Sequence, residues 1–75
     1  MKIRWRPSAT LALLNMPPPV AVQIDRAVQQ WAATGEGIVH SAEGGVFLLY
    51  LDVHVVEFFI DAQEDTMHVD RVRRA

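Results

Sequence analysis

Residues 38–60 read IVHSAEGGVFLLYLDVHVVEFFI, and the way this stretch divides decides the architecture. β-Branched and aromatic side chains crowd it, which favours strands over helix. Glu43-Gly44-Gly45 is a tight turn that supplies positive φ angles, so Ile38–Ala42 and Val46–Leu51 are predicted as strands on either side of it. Val53–Ile60 is a further strand, joined around Asp52, although Leu51-Asp52-Val53-His54 holds no Gly or Pro to turn the chain. Asp52, His54 and Glu57 interrupt the run too often for a membrane span. Apolar residues on both faces of residues 46–60 suit central strands covered by helices on one side and by a partner on the other.

On the C-terminal side, Asp61–Thr66 is a polar loop and Met67–Val72 a last strand. On the N-terminal side, Gly35 and Gly37 mark the end of a helix. That helix starts at Pro19, and its apolar positions Val20, Ile24, Ala27, Val28 and Trp31 recur at spacings of three and four. Consecutive prolines after Asn15-Met16 separate it from a shorter helix over Ala9–Leu14, with Ser8 as its N-cap and Leu11 and Leu14 as core contacts. Lys2–Arg6 alternates cations with Ile3 and Trp5, the period of a half-buried strand. The expectation is one α+β domain over residues 1–75: an N-terminal strand, a two-helix hairpin, then an antiparallel sheet of three to four strands.

The chain has 75 residues and no Cys, which excludes disulfide stapling and thiolate zinc sites. With no apolar signal core at its start, a soluble, cytoplasmic protein is expected. The formal net charge of −2 conceals a segregation: Lys2, Arg4, Arg6, Arg71, Arg73 and Arg74 lie at the two ends, and every acid lies between Asp25 and Asp70. Should the ends meet in the fold, they make one basic patch on an acidic protein.

His40, His54 and His68 are spaced fourteen apart, and a metal site would need them close together on one face with Asp52 or Asp70. Without a helical His pair or thiolate support, no metal or cofactor is assigned. No hydroxyl sits in a nucleophile elbow, and the glycines fit no phosphate-cradling spacing. Arg71-Val72-Arg73-Arg74 is the strongest chemical signal, because alternate strand positions aim Arg71 and Arg73 the same way, as two forks suited to phosphate or carboxylate.

The order of these patterns resembles the RelE/ParE superfamily of toxins from bacterial toxin–antitoxin modules. Trp5-Arg6-Pro7-Ser8-Ala9 resembles its strand leading into the first helix, and Leu13-Leu14-Asn15-Met16-Pro17 followed by Val20–Trp31 resembles its helical hairpin. Phe47–Tyr50, Val55–Asp61 and Met67–Arg74 resemble its strand pair and its basic closing strand. The resemblance implies an antitoxin partner, growth inhibition and plasmid stabilisation. It offers two modes of action: a ParE-like toxin that binds DNA gyrase, or a RelE-like endoribonuclease acting on mRNA at the ribosome. Leu48, Tyr50 and Val55 stand where ribonuclease members carry Arg, which favours binding over catalysis.

In the binding reading the basic ends, Lys2, Arg4, Arg6, Arg71, Arg73 and Arg74, contact the target. In the ribonuclease reading Arg71, Arg73 and one of His54 or His68 supply phosphate binding and proton transfer. A degenerate homologue serving as a homo-oligomer or interaction module is a third reading.

Overall fold

The computed structural model describes residues 1–75. Five strands and two helices follow the order β1 (Lys2–Trp5), α1 (Pro7–Leu14), α2 (Pro18–Thr34), β2 (Ile38–Ser41), β3 (Phe47–Leu51), β4 (His54–Asp61) and β5 (Thr66–Arg74). The last four form an antiparallel meander, and β1 adds to it parallel to β5, giving the sheet order β1-β5-β4-β3-β2. The expected class holds, and the N-terminal strand makes the sheet mixed and five-stranded.

Local chemistry sets the boundaries. α2 begins at Pro18 behind an extended Pro17, because prolines at the first helical positions forfeit only amides that have no helical acceptor. It ends where Gly35 turns left-handed at φ 78° and donates its amide to the Trp31 carbonyl. Gly44 and Gly45, at φ 73° and 75°, make the turn between β2 and β3. Asp52 turns the chain between β3 and β4 by adopting φ 54°, a left-handed conformation that Asp tolerates better than most side chains. That is how the junction turns with neither Gly nor Pro.

Both helices pack on one face of the sheet. Ala9 from α1 and Ile24 and Val28 from α2 close over Leu49, Val56, Phe58, Met67, Val69 and Val72. Phe58 is the centre, stacked on Phe47 at 5.5 Å and tilted against Trp31 at 4.7 Å. No helix is long and apolar enough to cross a membrane.

α1 departs from expectation in two ways. Leu11 and Leu14 are not core contacts: they are 59% and 75% exposed, and Ala9, Ala12 and Leu13 face the core instead. The physical reason is phase. Every position from Leu11 to Leu14 is apolar, so periodicity alone does not orient this helix. Nor does Ser8 cap it. The helix starts two residues earlier, at Pro7, and the Ser8 hydroxyl donates across to the Asp70 carbonyl at 2.6 Å.

Candidate functional site

Side chains alternate across the pleat, so the face of the sheet turned away from the helices carries a defined set. Register assigns it Lys2 and Arg4 from β1; Thr66, His68, Arg71 and Arg73 from β5; Val55, Glu57, Phe59 and Asp61 from β4; and Leu48 and Tyr50 from β3. No helix covers this face. Its cations come from both ends of the chain, because β1 lies beside β5 with Arg4 opposite His68.

A bulge in β5 shapes the middle of the face. Glu57 pairs with Arg71 and the next residue, Phe58, pairs with Val69, which leaves Asp70 as the extra residue. Its carbonyl is taken by the Ser8 hydroxyl, and its carboxylate lies 3.6 Å from the Arg6 guanidinium. Arg6 in turn sits over the Phe59 ring, 5.4 Å from its centroid, while His68 stacks on that ring at 4.7 Å and 8°. Arg6 therefore joins the cations of the N-terminal strand to those of the C-terminal one.

At one end of the face Lys2, Arg4 and His68 line a wholly polar cleft of about 220 Å³ with Thr66, Asp61 and Glu64. The Asp61 carboxylate is engaged there by the amides of Gln63 and Glu64. At the other end Arg73 donates to Glu57 at 2.6 Å, and Arg71 is exposed without an ion-pair partner. From Thr66 to Arg73 the strand rises roughly 23 Å, so the cations form a stripe and no single phosphate meets all of them.

The structure divides the residues singled out in the sequence. It brings Lys2, Arg4, Arg6, Arg71 and Arg73 onto or beside one face, but Arg74, one position on, alternates toward the helix side opposite His54. His54 also belongs to that side, where it borders a hollow with Val20, Ile24 and Leu51. It thus faces away from Arg71 and Arg73. His68 shares their face but is packed on Phe59 beside Arg4. His40 is edge-on to Tyr50 at the far side of the sheet, so the three histidines occupy three separate surroundings. Sequence reasoning missed Glu57, Phe59 and Asp70, which orient the cations. Period two on β4 would have put Glu57 and Phe59 together on one face, but the bulge that frees Asp70 leaves no signal.

No family model and no curated protein matches the sequence. Among solved structures, a chain of the RelBE2 toxin–antitoxin complex of Mycobacterium tuberculosis superposes with a TM-score of 0.76 at 18% identity, over 99% of this chain and 96% of that one. A chain of the intact RelBE toxin–antitoxin complex of E. coli gives 0.79 at 10% identity, over 99% and 95%. The fold of this protein is thus the one found in those RelBE complexes.

Proposed function

We propose that this chain is the toxin of a toxin–antitoxin pair and acts by binding its target through the bare, cation-striped face of the sheet. The observation that carries this reading is that Lys2, Arg4, Arg6, Arg71 and Arg73, drawn from opposite ends of the sequence, share one face that no helix covers. The likeness of the fold to chains of RelBE complexes supports a partner antitoxin. A stripe roughly 20 Å long suits an extended acidic surface on a macromolecule better than a small anion. In the ParE-like mode that target is DNA gyrase. The RelE-like mode, cleavage of mRNA, has less support, because His54 lies across the sheet from Arg71 and Arg73, and Leu48, Tyr50 and Val55 put no cation in the middle of the face.

Expression in a bacterial host without an antitoxin tests the proposal. Growth arrest with altered DNA supercoiling is the expected outcome, lost in the combined Lys2→Ala, Arg4→Ala, Arg71→Ala variant although it folds normally. Unimpaired growth by the wild-type chain overturns toxicity. Primer extension that finds translation-dependent cuts in mRNA moves the assignment to the ribonuclease.

A further inference from the structure

Over the start of β5 the outer face forms a trough whose two walls carry opposite charge. Lys2 of β1 stands opposite Thr66 of β5, and Thr66 stands opposite Asp61 of β4, so the three side chains make one row across the sheet. Arg4 and His68 belong to the next row on the same face. Because β5 lies between β1 and β4, the cationic and acidic walls are two ladder spacings apart, about 9–10 Å. Lys2 and Arg4 form one wall, Asp61 and Glu64 the other. None of the four is in an ion pair, since the pairs of this chain are Met1 with Asp65, Arg6 with Asp70 and Arg73 with Glu57. Complementary charges thus line one cleft of about 220 Å³ without neutralising each other.

Local hydrogen bonds fix the acidic wall and the floor. Asp61 Oδ1 accepts the amides of Gln63 and Glu64 at 3.1 and 3.2 Å, which leaves Oδ2 to face the cleft. Thr66 is buried, and its hydroxyl donates to the Glu64 carbonyl at 2.9 Å, so it turns only acceptor lone pairs to the cleft. The turn is tied to β1 as well, by the Lys2 amide on the Asp65 carbonyl at 2.8 Å. Asp61, Glu64 and Thr66 therefore offer acceptors, whereas Lys2 and Arg4 offer donors alone. His68, its ring held by the stack on Phe59, closes the cleft beside Arg4.

We infer that this cleft binds a small zwitterion of the α-amino-acid class, with its carboxylate on Lys2 and Arg4 and its ammonium group on Asp61, Glu64 and Thr66. A simple anion satisfies the β1 wall but is repelled by the two carboxylates, and a simple cation meets the converse. A ligand with both charges on one carbon satisfies both walls. Two charge-assisted hydrogen bonds of about 2.8 Å each, taken from the gap between the walls, leave about 4 Å for the ligand's own charged ends. The planar fork of Arg4 matches a carboxylate, and Asp61 Oδ2 with the Thr66 hydroxyl oxygen matches an ammonium. A wholly polar lining, and a volume below the roughly 300 Å³ at which sites for drug-sized ligands begin, select a small polar side chain and exclude a nucleotide. This goes beyond the functional reading above, which sets a macromolecule on the whole stripe, and stands whether or not that reading holds.

The probe is L-serine, titrated into the whole isotope-labelled chain and followed by amide NMR. Saturable shifts should centre on Lys2, Arg4, Glu64 and Thr66. N-acetylserine, which lacks the ammonium charge, and serinamide, which lacks the carboxylate, should each bind about tenfold more weakly than serine. Arg4→Gln should weaken serine about tenfold and change serinamide by less than about twofold. Asp61→Asn with Glu64→Gln should weaken serine about tenfold and leave acetylserine no weaker than before. Asparagine keeps the Oδ1 acceptor that the Gln63 and Glu64 amides use, so the charge is removed without opening the turn. No saturable shift, equal binding of the three compounds, or shifts centred on Tyr50 and Arg71 overturns the proposal. So does acetylserine or inorganic phosphate binding at least as tightly as serine, which would make the cleft an anion site.

Discussion

The two faces of the sheet are made from the same strands and have different occupations. Toward the helices, β3, β4 and β5 present Leu49, Val56, Phe58, Met67, Val69 and Val72, all buried. Away from them, alternate residues of the same strands present Tyr50 against the His40 ring, Glu57 paired with Arg73, and Arg71 exposed without an ion-pair partner. Val55 is the buried apolar side chain on that side, flanked across the ladder by Tyr50 and Arg73, and Thr66 is buried at the end of the same face. The difference teaches that stability and recognition are separated by the pleat: one residue along a strand is the distance between a side chain that holds the fold and one free to meet a partner.

The sharpest way to break this comparison is Phe58→Ala. Removing a ring packed between Trp31 and Phe47 should cost about 3–5 kcal/mol, enough to leave so small a domain largely unfolded in thermal melts followed by circular dichroism. A loss under about 1 kcal/mol would show that the helix-side core does not carry the fold. A smaller effect, of opposite sign, is expected at the turn between β3 and β4. Asp52→Gly should raise stability by about 1 kcal/mol in urea titration, since glycine relieves the left-handed backbone at φ 54°.

The smallest effect belongs to the outer face. A double-mutant cycle on Glu57→Ala and Arg73→Ala should return a coupling of about 0.2–1 kcal/mol, because Arg73 is 42% exposed and solvent screens the pair. A coupling of several kcal/mol would mean that the bare face also holds the fold, and the separation drawn here would fail.

Much of this was legible in the sequence. The switch of residue types after Gly37, the prolines at 17–19 and the positive-φ turn at Gly44-Gly45 located the elements, because each acts through local backbone chemistry. The segregated charges anticipated that the two ends share a surface. What local chemistry does not encode was missed. The phase of α1 is set by which side meets the sheet, and a run of consecutive apolar residues leaves that open. The parallel docking of β1 is a long-range event, and the bulge at Asp70 is a compromise between the β4 ladder and the Ser8 hydroxyl. For the candidate site, the cations were visible as residue types. That His54 and Arg74 turn toward the helices, leaving Arg71 and Arg73 on the far side, depended on register and bulge together.

The parallel pairing of β1 with β5 also governs when the molecule is complete. Lys2 stands opposite Thr66, and the Arg6 amide donates to the Val69 carbonyl, so the first strand to be synthesised finds its only ladder partner in the last. During translation the backbone of β1 waits without a ladder partner while the helices and the meander are made, and a chain interrupted before residue 66 offers it none. A fragment that lacks either β1 or β5 thereby loses part of the cation stripe and the ladder that joins the two strands.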